Sequence, residues 1–182
     1  LQPRLGWIAD GAYTHSPWGV KSMGALKSFQ LYGYLPGVAK HHGIMAYLGF
    51  QEREKGTYRF GDAIRIPRGW HAFDSKSLVS TSLRYSLPLL YPDFNWGKMI
   101  YLRRIKAAFF YDYAWYERRL MRNGEEAGIV TQQISSLGAD ITADSNLFRF
   151  YAPVNLGVRA VYLPASRNVS AEMLFSIDFT SF

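Results

Sequence analysis

The chain has 182 residues, a hydrophobic content of 48% and a formal net charge of +7, which fits one domain and is compatible with solubility, an anionic membrane surface or nucleic acid. It contains no cysteine, so disulfide scaffolds, thiolate metal sites and cysteine nucleophiles are excluded. A helical membrane span is also excluded, because the sequence has no run of about 18 or more apolar residues.

Three strands are predicted first in chain order, near residues 5–14, 20–35 and 42–54. The loop that follows contains IRIPRGWHAF, Ile64 to Phe73, in which a cation, a glycine and a large aromatic residue stand together. The 13 Tyr and 12 Phe of the chain also favour β-structure with wet edges over a helical bundle.

Five runs of alternating apolar and polar residues follow this loop, and that period predicts β-strands. The runs are Val79 to Leu87, Ile105 to Ala114, Leu137 to Ala143, Val154 to Tyr162 and Glu172 to Thr180. Turn-forming residues separate the predicted strands at Ser16-Pro17, Pro36-Gly37, Pro92-Asp93, Asn123-Gly124, Asp144 to Asn146 and Pro164 to Asn168. The sequence therefore predicts a single all-β domain over residues 1–182, with about eight antiparallel strands.

The length and the two faces of these runs favour a transmembrane β-barrel. Ordinary strands have about 5–6 residues, whereas a tilted membrane-spanning strand needs about 9–11, and most runs here reach that range. In such a barrel the apolar face meets lipid and the polar face lines the lumen, whereas a soluble sandwich has its polar face outside. Aromatic residues at strand ends suit interfacial girdles: Tyr91, Phe94, Trp96, Trp115, Tyr116 and Tyr162.

The order of several motifs adds a resemblance to a known superfamily. The motifs are PRGW (Pro67 to Trp70), STSLRYSLPLL, AAFFYDYAW, SSLGADI and PVNLGVRAVYLP, followed by a strand that reaches Phe182. From about residue 60 onward this order resembles the C-terminal half of the BamA-like surface-antigen barrels, which insert or translocate outer-membrane proteins.

The resemblance implies a fold, a location and partners. The chain would supply about eight strands of an antiparallel transmembrane β-barrel of about sixteen strands in the bacterial outer membrane. Upstream strands and any periplasmic domains would lie outside this chain. The implied function is insertion or transport of outer-membrane or secreted proteins, by strand-edge templating at a weak seam with the last strand as one lip. The implied partners are outer-membrane lipid, the remaining barrel strands of the same or another chain, and client outer-membrane proteins.

The resemblance also gives roles to single residues. Arg68, Gly69 and Trp70 match the tip of a long extracellular loop that folds back into the lumen in family members. Asp112 stands where the family has an inward-facing acid that pairs with the loop arginine. A confined guanidinium needs carboxylate or carbonyl partners, which it can bind through two N–H groups. Gly69 permits a tight turn, and Trp70 can wedge against the barrel wall.

Three positions depart from the family pattern: Arg84, Phe182, and Asp178, which replaces the usual glycine of the last strand. Arg84 stands where family members often carry a glutamate, which predicts a second cation near Arg68. The expected insertion signal on the terminal strand consists of Phe175, Ile177, Phe179 and Phe182. Because Phe182 is out of phase with the other three, Phe179 is expected to complete the signal, with Phe182 beyond the strand.

Other chemistries find less support in the sequence. The four histidines lack metal-ligand spacing, and no nucleophile-elbow motif accompanies the serines near His15 and His71. We therefore predict no enzyme, no metal and no cofactor. Arginine pairs such as Arg103-Arg104 and Arg118-Arg119 lie at separate strand ends without a nucleic-acid-binding motif, so no nucleic-acid partner is expected. The alternatives are a passive or ligand-binding outer-membrane barrel without an insertase role, and a soluble β-sandwich or lipocalin-like binder.

Overall fold

The computed structural model describes residues 5–15, 24–54, 56, 58, 60–71, 73–97, 99–122, 125–148 and 152–177. In these ranges the chain forms one antiparallel sheet of nine strands and no helix. Accordingly, this part of the chain contains no helix that is long and apolar enough to cross a membrane.

The strands are β1 (Gly6–His15), β2 (Ala25–Pro36), β3 (Gly43–Arg53), β4 (Ser77–Leu90), β5 (Phe94–Trp96), β6 (Ile100–Arg122), β7 (Glu125–Leu147), β8 (Val154–Leu163) and β9 (Asn168–Ile177). Their order in the sheet is β1-β2-β3-β4-β6-β7-β8-β9, and β5 pairs with the start of β6. β1 and β9 are the two edges and do not pair with each other, so the sheet is open.

The predicted all-β, antiparallel fold is confirmed for the described residues, and three details differ from the prediction. The three-residue strand β5 was not predicted. β6 and β7 are each 23 residues long, well beyond the alternating runs that predicted them. The turn predicted at Asp144 to Asn146 is wrong, because these residues lie inside β7. Asp144 is held there by side chains of β6 and β8 that contact it across the sheet.

One face of the sheet has buried polar side chains, and the other has exposed apolar side chains. An antiparallel sheet of a soluble protein normally shows the reverse. In β3, Gln51 and Arg53 are 1% and 5% exposed, whereas Leu48 and Phe50 on the other face are both 41% exposed. Successive side chains of a strand point to opposite faces. We call the face that carries Gln51 and Arg53 the inner face, and the face that carries Leu48 and Phe50 the outer face.

The outer face presents large apolar side chains on every strand from β2 to β9 except the short β5. They include Phe29, Leu83, Phe109, Tyr111, Leu137, Ile141, Leu156, Val158, Met173 and Phe175, which are between 39% and 90% exposed. An antiparallel sheet with one wet face normally places polar residues on that face. Exposed apolar surface on so many adjacent strands is uncommon on soluble monomeric proteins.

The inner face is covered at one end by the β3–β4 loop, of which residues 54, 56, 58, 60–71 and 73–76 are described. Beneath it lies a cluster of buried side chains, namely Ile64, Leu78, Ala114, Tyr116 and Ile134, with Ile66, Trp70 and Phe73 packed against them. The Phe73 and Tyr116 ring centroids are 4.0 Å apart. The predicted position of Tyr116 in an exposed aromatic girdle is therefore wrong, because its ring is buried beneath the loop and packs against Phe73.

Candidate functional site on the inner face

The base of the β3–β4 loop is held by two polar side chains of β3. Gln51 Nε2 and Arg53 Nη2 each donate a hydrogen bond to Asp62 Oδ1, at 2.9 Å. Arg53 also donates to the carbonyl oxygens of Phe60 and Ser75, at 3.0 Å in both cases. The buried guanidinium thus has a carboxylate and two carbonyl partners, which is what a charge removed from water requires. These contacts fix the loop against the inner face.

At the tip of the loop, Arg68 lies against Asp112 of β6. The backbone N–H of Arg68 donates to Asp112 Oδ2 at 3.1 Å, and Arg68 Nε lies 3.8 Å from the same oxygen. The guanidinium carbon is 4.1 Å from the centroid of the Phe110 ring, a cation–π arrangement. Arg68 therefore meets Asp112 mainly through its backbone, and not through the paired N–H groups that a guanidinium can offer to a carboxylate.

Asp112 is 3% exposed and collects donors from both neighbouring strands. Ser82 Oγ donates to Asp112 Oδ1 at 2.5 Å, and Ser136 Oγ lies 3.5 Å from Oδ2. Both serines stand directly opposite Asp112 in the register of β4, β6 and β7. The buried carboxylate is therefore stabilised by two hydroxyls, one backbone N–H and the nearby guanidinium.

Gly69 and Trp70 place the loop tip against β7 and β8. Gly69 has a φ of 78°, and a Cβ at this position would lie 3.0 Å from Val161 Cγ1 of β8. The Trp70 indole Nε1 donates to the Ser135 carbonyl oxygen of β7 at 3.2 Å. Arg68, Gly69, Trp70 and Asp112 are thus brought together on the inner face. Their role in the lumen of a complete barrel stays a prediction.

A second cluster surrounds Asp140 of β7, which is 1% exposed. Arg159 of β8 donates from Nε and Nη2 to the two carboxylate oxygens, at 2.7 and 3.2 Å. Arg84 Nη2 of β4 lies 2.9 Å from Oδ2 of the same carboxylate. Arg159 Nη1 also lies 3.5 Å from Glu172 Oε2 of β9. Arg84 thus has Asp140 as its carboxylate partner.

The two clusters meet at the Phe110 ring. The Arg159 guanidinium carbon lies 5.6 Å from its centroid, and the Arg68 guanidinium lies over the same ring. A Cβ at position 138 would overlap this ring and the Ala160 carbonyl oxygen, so Gly138 is what allows Phe110 to lie there. Burial lowers the pKa of Arg68; Asp112 raises this pKa, while the charges of Arg159 and Arg84 lower it.

A third cluster surrounds Asp144 of β7. Arg104 donates from Nε to Asp144 Oδ2 at 2.6 Å, and Lys106 Nζ lies 2.6 Å from Oδ1. Asn155 Nδ2 of β8 donates to Oδ1, also at 2.6 Å. One carboxylate is therefore shared by two cations, as in the Asp140 cluster.

The Asp140 and Asp144 clusters lie beside a cavity of about 750 Å³ at the end of the sheet away from the β3–β4 loop. The turn between β2 and β3 (residues 37–42) and residues 174–176 of β9 line this same cavity. Because β3 and β9 are far apart in the strand order, the sheet must curve around its inner face to bring them to one cavity.

The terminal-strand residues are only partly covered by the structure. Phe175 is 65% exposed on the outer face, and Ile177 is the last residue of β9 and is partly buried. Phe179 and Phe182 lie outside the described residues. Within the described part of the chain, no group of three or more His, Asp or Glu side chains is placed to hold a metal ion.

Sequence reasoning missed five residues that organise this face: Gln51, Arg53, Asp62, Asp140 and Arg159. The period-2 pattern carried a signal for four of them, because it places the strand residues on the polar face. It could not show which of them meet, since that depends on strand register and on the path of the loop.

The fold and the site define a curved, open antiparallel sheet with a polar, loop-covered inner face and an exposed apolar outer face. No protein-family model matches this chain, no curated protein matches it, and no solved structure matches it. The resemblance to the BamA-like barrels therefore stays a prediction that rests on the motifs quoted above.

Proposed function

We propose that this chain forms part of the wall of an outer-membrane β-barrel of the BamA-like superfamily and acts in the insertion or translocation of outer-membrane or secreted proteins. The observation that carries the proposal is the inverted burial of the sheet. Buried polar side chains such as Gln51, Asp112 and Asp140 share the inner face, while apolar side chains are exposed on the outer face. This is the pattern that lipid outside and water inside a barrel require.

Hydrophobic burial supports lipid as the medium at the outer face. Removing one large apolar side chain from water stabilises a protein by about 1.5–3 kcal/mol, and side chains such as Phe109, Val158 and Met173 are more than half exposed. A soluble sandwich would bury such a face against a second sheet. The described strands all belong to one sheet, so they provide no such layer.

The two open edges support a partner for the sheet. Among the described residues, β1 and β9 each present unpaired backbone N–H and C=O groups on one side, which hydrocarbon does not tolerate. Eight long strands alternate in direction along the sheet, so β1 and β9 are antiparallel. Further antiparallel strands could therefore close the barrel at both edges. In an insertase, the β9 edge would also pair with a client strand by β-augmentation.

The membrane part of the proposal is tested by a pair of adjacent single cysteines, since the chain has none of its own. Ile141→Cys lies on the outer face, and Thr142→Cys lies next to it on the inner face of β7. Each carries a fluorophore, and the protein is reconstituted in bilayers that contain brominated lipid. We expect strong quenching at position 141 and weak quenching at position 142. Equal quenching, or a folded monomer that needs no detergent, would contradict the proposal.

The insertase part is tested at the β9 edge. Ser176→Cys should crosslink, in the full-length protein, to the first strand of the complete barrel or to a bound client. Its neighbour in register on β8 is Asn155, so a cysteine there is the matched control for a strand paired on both sides. Crosslinking of position 176 to β8 alone, with a fully paired far edge, would favour a passive or ligand-binding barrel.

A further inference from the structure

The cavity at the end of the sheet away from the β3–β4 loop is surrounded by more cations than carboxylates. Five Lys and Arg side chains line it: Lys40, Arg84, Arg104, Lys106 and Arg159. They come from the β2–β3 turn and from three different strands, so curvature of the sheet brings them together.

The carboxylates near the cavity do not balance these charges. Asp140 is shared by Arg84 and Arg159, and Asp144 is shared by Arg104 and Lys106. Glu172 adds one more carboxylate, at 3.5 Å from Arg159, with its side chain 40% exposed. Five cations therefore face three carboxylates. If these side chains only formed ion pairs between strands, one carboxylate for each cation would be enough.

We propose that this cavity binds a phosphorylated anion. A surplus of two positive charges matches the charge of a phosphate monoester at neutral pH, and Lys and Arg are the side chains that bind phosphate best. The volume of about 750 Å³ lies in the range of ligand cavities, which reaches from roughly 300 to 1,000 Å³.

Lys40 and Lys106 are the cations that the ligand would use. Asp144 keeps Arg104 as a partner when Lys106 is engaged elsewhere, and Lys40 lies in a turn at the rim. The shared chemistry is a phosphate group, carried either by a soluble molecule or by the headgroup of a membrane lipid. Residues 174–176 of the edge strand β9 line the cavity, but the binding of a phosphate does not require an insertase role.

The test uses the complete chain in a zwitterionic detergent. In one arm, sodium pyrophosphate is titrated calorimetrically. In the other, the protein is transferred to mixed micelles of phosphatidylcholine with or without phosphatidic acid, whose headgroup is a phosphate monoester, and binding is followed by fluorescence. The double variant Lys40→Gln/Lys106→Gln removes the two surplus cations and leaves an arginine on each aspartate. The control Lys27→Gln/Arg118→Gln removes the same charge from exposed positions near the opposite end of the strands.

We expect the wild type and the control to bind one probe with equal affinity, and the Lys40/Lys106 variant to bind it at least about tenfold more weakly. Binding of pyrophosphate identifies a soluble phosphate as the source, and binding of micelles that contain phosphatidic acid alone identifies a lipid headgroup. The proposal is overturned if neither probe binds, or if both double variants weaken binding equally, since the effect is then one of net charge.

Discussion

The two ends of the inner face are built from different chemistry. Under the β3–β4 loop, Leu78, Tyr116 and Ile134 form a small apolar core, and the buried charge of Arg53 has a dedicated carboxylate in Asp62. At the cavity end, Asp140 and Asp144 are each shared by two cations beside an open volume. The loop end stabilises the fold through apolar packing and the hydrogen bonds of Gln51 and Arg53 to Asp62, whereas the cavity end leaves a volume of about 750 Å³ unfilled.

The difference in burial predicts that the loss of a carboxylate costs more stability at Asp112, which is 3% exposed, than at Asp144, whose side chain is 13% exposed. Buried groups around Asp112 have no access to water once a partner is lost, and an orphaned charge is strongly destabilising. The cations at the cavity are partly exposed, with Arg104 and Lys106 side chains 24% and 32% exposed. Water can therefore replace the carboxylate of Asp144 around these two cations.

The largest effect is expected for Asp112→Ala, at about 3–5 kcal/mol of unfolding free energy. The substitution leaves the Arg68 guanidinium and the Ser82 hydroxyl without their carboxylate at a site that is 3% exposed. Asp144→Ala is the matched change at the cavity and should cost only about 1–2 kcal/mol. Urea unfolding of both variants in the same detergent measures the difference, and equal losses would remove the distinction between the two ends.

A double-mutant cycle gives the share of that loss that belongs to Arg68. Asp112→Asn should reproduce part of the Arg68→Ala effect, and the combined variant should lose less than the sum of the two. Arg84 is bonded to Asp140, so it is not expected to replace Arg68 at Asp112. Strict additivity would mean that the side chain of Arg68 does not interact with Asp112, in spite of the 3.8 Å separation.

The next largest loss of stability is expected on the outer face. This face extends along the whole sheet, so the loss should not depend on which end is changed. Val158→Arg is expected to cost about 2–4 kcal/mol in a bilayer if the site is near the midplane, because Val158 is 53% exposed on that face. Val158→Ala is the control for lost side-chain volume. Unfolding in lipid vesicles measures both variants, and a loss no greater than that of alanine would place this face in water.

A smaller effect, about 1–2 kcal/mol from backbone strain, is expected for Gly69→Ala. Gly69 and Gly97 both have positive φ, at 78° and 58°, but of the two only position 69 has neighbours within 4 Å of an added Cβ, namely Val161 and Leu163. Gly97→Ala therefore introduces the backbone strain of a positive φ but no steric contact of the added Cβ. The excess loss of Gly69→Ala over Gly97→Ala measures how tightly the loop tip packs on β8. Equal losses would show a tip that moves away freely.

Much of the sheet could be predicted from the sequence, because alternation is a property of each strand by itself. Alternation along β4, β8 and β9 reports which residues share a face, and that property needs no knowledge of neighbouring strands. The ends of β6 and β7 could not be predicted, because segments such as Trp115 to Arg122 combine charges and aromatic residues without alternation. Pairing with each other extends both strands, and pairing is not local.

The contacts of the polar site also fall into those that the sequence could predict and those that it could not. Asp112 and Arg68 were placed together by a resemblance of motifs, which carries three-dimensional information that alternation lacks. The contact of Arg84 with Asp140 joins β4 to β7, which are separated by β6 in the sheet. Such a diagonal contact depends on register and on curvature, and neither can be read from the two segments alone.

The smallest effect is expected for Arg65→Ala, and it separates the two loop arginines. The Arg65 guanidinium carbon lies 5.0 and 5.4 Å from the ring centroids of Tyr32 and Tyr47, but its side chain is on the exposed side of the loop. The hydrogen bond from its backbone N–H to the Tyr47 hydroxyl, at 3.0 Å, does not need the side chain. Only an exposed cation–π contact is lost, so we expect a loss of about 0.5–1 kcal/mol in the free energy of unfolding.

Arg68→Ala should cost more in the same unfolding measurement, because its guanidinium is packed between Asp112 and Phe110. Arg65→Lys, which retains the cation, should recover part of the loss. If Arg65→Ala costs as much as Arg68→Ala, the loop is held by its charge as a whole, and the position of Arg68 at the tip has no special importance for stability.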